Sequence, residues 1–169
     1  RGLEDVNFVI EEGSGTVDPG CTKAIVGEQT LEAYKHRWDT TAACDLGCEE
    51  FLEQVPTIFR FGNNETETSS RKVWIPAWIG DRLVRICAHI VKGATPLLVS
   101  ERLAKDLRAH IDFERDIMVF KSLDQTVQLS PTAEGAGGHC IVDLCTPPPH
   151  EVSYQKEPSW STSEVQVFN

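Results

Sequence analysis

Apolar and polar positions alternate in short runs along most of this chain, and only two stretches carry helical spacing. Val6-Asn7-Phe8-Val9-Ile10 reads as a first, outer strand. Gly15-Thr16-Val17 leads into Asp18, and Pro19-Gly20 then turns the chain. Residues 28–38 carry Leu31, Tyr34, Lys35 and Trp38 at near-helical spacing, which predicts a helix closed by the polar 39–41 segment. A loop follows to Glu50, then a strand at Phe59-Arg60-Phe61, a turn at Gly62-Asn63-Asn64-Glu65, and a polar, mobile stretch from Thr66 to Arg71. The runs 72–79 and 83–91 flank Gly80-Asp81 and predict a hairpin.

Pro96-Leu97-Leu98-Val99 has the continuous apolar character of a buried strand. Ser100 is placed to cap a second helix whose apolar period runs through Leu103, Leu107 and His110. Ile111-Asp112-Phe113 and Ile117–Phe120 form another hairpin signal, and residues 127–129 and 139–144 add two strands. Many short strands with two helices predict a mainly antiparallel β domain, closed or sandwiched. Past Leu144 the composition shifts to a polar, Pro-rich segment whose large residues are Tyr154, Trp160 and Phe168. It reads as an extended arm that its own core or a partner must hold. The expected organisation is an N-terminal strand or arm (1–14), a β domain (15–145) and an extended tail (146–169).

Composition narrows the function classes. With 169 residues, 40% hydrophobic, the chain supports one sizeable core. A formal net charge of −10 argues against nucleic acid or an anionic membrane surface as the partner. No apolar run approaches the ~18 residues of a membrane span. The chain opens with Arg1 rather than Met, which reads as a processed or excised segment. Six cysteines in a chain of this size read as buried residues or free thiols of a reducing compartment, which favours an intracellular setting. Asn64-Glu65-Thr66 is a sequon that matters only in a secreted protein.

The candidate chemistry centres on Asp18. A carboxylate at a strand end, followed at once by Gly20, presents acid/base chemistry on a rigid support; the same residues also make an ordinary β-turn. Asp45-Leu46-Gly47 repeats the pattern inside a loop and reads as a plain turn. Cys44, Cys48, Cys140 and Cys145, with His36, His139 or His150 as substitutes, could offer zinc ligands. Their spacing lacks the tight pairs of structural zinc sites, so neither metal nor cofactor is expected. Cys21 lacks a neighbouring pattern that would mark it as a nucleophile. Trp74 and Trp78, out of phase with Ile75 and Ile79, place one Trp against a groove, a partner or the core. No phosphate loop, dinucleotide fingerprint or serine elbow is present.

In order and spacing, five pieces resemble the retropepsin-like aspartic peptidases of retroviruses and retrotransposons. They are Asp18-Pro19-Gly20, Phe59-Arg60-Phe61-Gly62-Asn63, Ile75–Gly80, Pro96–Ser100 and Asp112–Asp116. The match spans Gly15 to Leu144 and looks most like protease segments of transposable-element polyproteins. The resemblance implies a single-lobe closed β-barrel. It also implies a catalytic Asp18 that meets its copy across the two-fold axis of a homodimer and shares a proton with it. Pro19, Gly20 and Cys21 then form the active-site turn, and Gly62, Asn63 and Asn64 sit in a flap over a peptide substrate.

Two positions depart from the family. Thr or Ser usually stands where Pro19 is, and its hydroxyl and N–H cross the dimer axis; Pro19 supplies neither, at roughly 1 kcal/mol for each lost bond. Ser100 stands where the family usually has Gly. Two readings follow: an aspartic endopeptidase active as a homodimer, or a catalytically retired descendant of the fold serving as a subunit of a larger assembly and docked through its C-terminal tail.

Overall fold

A computed structural model describes residues 14–18, 20–38, 45–131 and 140–168. The expected strand at 6–10, the polar cap at 39–41, Pro19, Cys44 and His139 lie outside the described residues. Among the described residues, twelve strands and two α-helices make the fold mainly β, as the alternating pattern predicts.

β1 (Ser14–Val17) lies at the centre, parallel to β6 (Leu97–Val99) on one side and antiparallel to β10 (Cys140–Asp143) on the other. β2 (Ile25–Gly27) follows the Asp18 turn and leads directly into α1 (Glu28–Trp38), the helix the spacing predicts. Leu31 and Tyr34 are buried apolar contacts of this helix, with Thr30 buried beside them, and the Tyr34 hydroxyl donates to the Ser14 carbonyl at the start of β1. Burial holds that phenol well above its usual titration range, so it remains a donor.

β4 (Thr66–Ile79) and β5 (Arg82–Val91) form the predicted hairpin, with Gly80 at φ 58° in the turn. The residues of both strands nearest that turn are buried almost without exception. α2 (Glu101–Asp106) is capped by Ser100, whose hydroxyl accepts the Leu103 N–H at 3.2 Å. The helix ends before His110, which is exposed on β7 (Ala109–Asp112) rather than continuing the helical apolar face. β7, β8 (Ile117–Phe120) and β9 (Gln125–Pro131) form a meander that joins β10.

Three expectations are corrected. First, the strand expected at 59–61 is the end of a much longer β3 (Glu49–Arg60), and the stretch expected to be mobile at 66–71 is its partner in β4. Pairing and ions hold what the sequence pattern does not advertise. Arg71 contacts Glu50 at 2.9 Å and Glu28 of α1 at 2.8 Å, while Arg85 of β5 contacts Glu49 at 2.9 Å. Second, the sheet is open rather than a closed barrel. Hydrogen-bonded neighbours run from β11 (Trp160–Ser161) to β7, with β3 and β4 branching off the path at β5. Its edge strands β11, β7 and β3 are not hydrogen-bonded to one another among the described residues, so the sheet does not close on itself.

Third, the C-terminal segment is irregular only as far as Ser159. It then forms β11 and β12 (Val165–Phe168), and β12 pairs antiparallel with β5. Val165, Val167 and Phe168 are fully buried there, so the segment is held by its own core.

Candidate functional site

The Asp18 turn is built by its neighbours on both sides. The Asp18 N–H donates to Val99 O at 3.1 Å, which extends the β1–β6 pairing by one residue. Cys21 N–H donates to Asp18 O at 3.1 Å, closing a four-residue turn, and Glu101 N–H donates to Cys21 O at 2.9 Å. The turn is therefore clamped to the junction of β6 and α2. Within it, Gly20 N–H donates to the Asp18 carboxylate at 3.0 Å. Asp18 is half-buried and Gly20 exposed. A side chain at Gly20 would crowd that oxygen, since its Cβ would sit 3.2 Å from Asp18 Oδ1. The result is an oriented carboxylate beside a turn that leaves room for an approaching group.

Cys21 carries no sign of activation. Its thiol donates to Lys23 O at 2.7 Å, and burial pushes it above the usual thiol range. Burial likewise raises Cys140, drives Cys87 up to about 11, and Cys145 up to about 12. Thiols held in the protonated form are poor metal ligands and poor nucleophiles. Cys21, Cys87, Cys140 and Cys145 are free thiols, and no cluster of three or more metal-ligating side chains occurs among the described residues. Asp45–Gly47 is a turn, with Gly47 at φ 65°.

Gly62, Asn63 and Asn64 form the exposed tip of the β3–β4 hairpin. Asn64 N–H donates to Phe61 O, Phe61 N–H donates to Glu65 O, both at 2.9 Å, and Asn64 adopts φ 65°. Among the described residues no hydrogen bond joins this tip to the Asp18 turn. Lower down, the Ser69 hydroxyl donates to Ile90 O at 2.6 Å, and Glu67 accepts the Lys92 N–H at 2.9 Å. The hairpin base is thus tied to β5 while its tip projects. Its outer strand bares Leu52, Val55 and Ile58, each at least 70% exposed.

A second constellation escaped the sequence reading. At the hairpin base Lys72 of β4 faces Glu53 of β3 at 2.7 Å, and His89 Nδ1 of β5 lies 3.6 Å from the same carboxylate. Burial opposes the Glu53 charge, but the Lys72 hydrogen bond and the charges of Lys72, His89 and Lys23 hold its carboxyl below the usual range. Burial also opposes the Lys72 ammonium, which Glu53 and other acidic neighbours hold above its usual value. Burial, then Lys72, push the His89 imidazole down to about 4, against the pull of Glu53. His89 is 4% exposed, its Nδ1 has no hydrogen-bond partner, and the Phe59 ring meets it edge-on at 5.1 Å. Lys72 and His89 are register partners, a pairing that linear spacing does not reveal.

No family model matches the chain, and no curated protein matches it.

Proposed function

We propose that this chain is the single lobe of a retropepsin-like aspartic peptidase of transposable-element type, active as a homodimer on peptide substrates. The observation that carries the reading is the Asp18 turn. A carboxylate oriented by the Gly20 N–H stands at the end of a central strand, locked between a parallel strand and the start of a helix. One such turn supplies half a dyad. Two copies facing each other across a two-fold axis bring two carboxylates together, and mutual repulsion then favours the state that shares one proton. In that state one carboxylate takes a proton from the attacking water while the protonated partner donates to the scissile carbonyl oxygen. The β3–β4 hairpin, anchored at its base and free at its tip, is suited to close over the bound peptide.

The reading of a retired subunit docked through its tail is less well supported. The last strand of that tail is already committed to β5 of the same chain. The test is cleavage of a mixed peptide library between about pH 3.5 and 7, wild type against Asp18→Asn. Cleavage lost in the mutant is the expected result. Absence of cleavage by wild type, at concentrations where sedimentation shows a dimer, refutes the peptidase reading.

A further inference from the structure

β3 is held firmly at its start and loosely beyond it. Glu49 meets Arg85 of β5 and Glu50 meets Arg71 of β4, both at 2.9 Å. The ladder then breaks: Leu52 pairs with Arg71 and Thr57 with Ser69, so residues 53–56 stand opposite Ser70 alone. Pro56, inside this bulge, has no N–H to give. Pairing resumes over Thr57–Arg60, but among the described residues the ion pairs of β3 are confined to Glu49, Glu50 and Glu53. No strand among the described residues covers the outer edge of β3, and Val55 and Ile58 are exposed there.

The loose part of β3 covers His89. Of residues 53–56 Glu53 alone is half-buried; its carboxylate meets Lys72 at 2.7 Å, accepts the Thr57 hydroxyl at 3.5 Å and lies 3.6 Å from His89 Nδ1. Phe59 closes the other side, its ring edge-on to the imidazole at 5.1 Å. Beneath them β4 stays in place without β3. It pairs with β5 from Lys72 to Ile79, and Ser69 and Glu67 bond to Ile90 O and Lys92 N–H.

We propose that residues 53–60 are a proton-operated lid, which swings out at the 53–56 bulge when His89 takes a proton while β4 remains on β5. With the lid down, an imidazolium would be sealed beside the Lys72 ammonium, with the Glu53 carboxylate serving both cations. Lifting the lid gives both cations to water. Lys23 adds a third positive charge, Glu164 acts on Lys72, and Cys87, driven up to about 11, stays uncharged. Acid also weakens Glu53 itself. Burial opposes its charge, yet Lys72, His89 and Lys23 hold its carboxyl below the usual range, so the lifted form binds a proton more readily there too. The lid does not depend on the Asp18 chemistry; where the peptidase reading holds, it leaves the hairpin over the peptide more open in acid.

Hydrogen exchange read by mass spectrometry, corrected for the intrinsic pH dependence of the amides, tests this on peptides covering 53–61 and 82–91. His89 titrates at about 4 when covered against an ordinary 6.5 in water, so lid protection should fall about twentyfold from about pH 7 to pH 5. The β5 amides should stay far better protected, with the near-UV circular dichroism retained. His89→Leu should remove most of the pH dependence. Glu53→Gln, which weakens the hold on Lys72, should lower lid protection several-fold already at neutral pH. Lid protection that does not fall in acid, falls equally in His89→Leu, or falls only together with β5 overturns the proposal. Should His89→Leu fail to fold, Glu53→Gln decides, and lid protection equal to wild type at neutral pH overturns it.

Discussion

The buried imidazole of His89 makes a prediction whose sign and size follow from its surroundings. Lys72 on β4, Glu53 on β3 and Lys23 near β2 are the charged groups that act on it, and burial outweighs them all. Its titration falls from an ordinary 6.5 to about 4 in the folded chain. Between those values the unfolded chain binds a proton that the folded chain refuses, so stability falls as pH is lowered through that window. Below about 4 the contribution levels off, because both states are then protonated. At about 1.4 kcal/mol per pH unit, the full loss attributable to His89 is about 3.5 kcal/mol, a large part of the stability of an ordinary domain.

Urea denaturation followed by tryptophan fluorescence, at a series of pH values across that window, measures the slope. His89→Leu, close in volume and without a charge to acquire, should flatten it. The substitution also removes an unpaired buried nitrogen, so the variant should hold its own at low pH even if packing against Phe59 is imperfect. Other groups do not mimic this difference. Glu53, held below its usual range chiefly by Lys72, adds acid sensitivity in both proteins, somewhat less once the His89 charge is gone, while Glu164, raised by burial, works the opposite way in both. A wild type and a His89→Leu variant with parallel stability–pH profiles would refute the reasoning.

Three further outcomes follow from the packing. Gly27→Ala would put a Cβ 2.4 Å from Gly93 O and 2.5 Å from Thr95 N, both rigid backbone, so a loss of about 2–3 kcal/mol or more is expected in urea titrations. A variant within about 0.5 kcal/mol of wild type would show that the 93–95 loop yields freely. Deleting residues 165–169 strips Val165, Val167 and Phe168 from the core, at about 1.5–3 kcal/mol each, and should abolish cooperative thermal unfolding by near-UV circular dichroism. Ser100→Ala should cost about 1 kcal/mol through the lost Leu103 cap; a stability unchanged from wild type would mean that the cap bond contributes nothing.

The elements that were legible in the sequence are those whose signal is local. The β4–β5 hairpin announces itself by apolar strands around Gly80-Asp81, α1 by Leu31 and Tyr34, and α2 by Ser100. β3 was hidden because Glu49–Pro56 neither alternates nor avoids charge and proline. Its strand character is imposed by β4, with a register shift between Leu52 and Thr57 that accommodates Pro56. β12 was hidden differently. Val165, Val167 and Phe168 form a good strand, but the Pro-rich composition before them dominated the reading of the whole segment. At the site, the Asp18 turn was readable because its residues are consecutive. The Glu53–Lys72–His89 cluster was not, because strand pairing assembles it from three separate strands.

The departures at Ser100 and Pro19 are best judged by what each position is required to do. At Ser100 the backbone sits at φ −78°, ψ 165°, an ordinary extended conformation that makes no demand for glycine. The position is fully buried, and the hydroxyl that glycine lacks is used to cap α2, so this substitution supplies a bond rather than losing one. The same accounting applies around Pro19. Every described bond that shapes the turn comes from another residue: Asp18 N–H to Val99, Gly20 N–H to the Asp18 carboxylate, and Cys21 N–H to Asp18 O. None calls on a donor at position 19, and a turn closed from its fourth residue back to its first favours proline second. On the proposed peptidase reading, what proline at this position withholds is a contact between subunits. If that reading holds, its effect falls on dimer affinity: proteolysis by wild type should rise steeply with protein concentration, and Pro19→Thr should lower the concentration at which it appears. A Pro19→Thr variant that dimerises and cleaves at the same concentrations as wild type would remove Pro19 as the limiting feature of this chain.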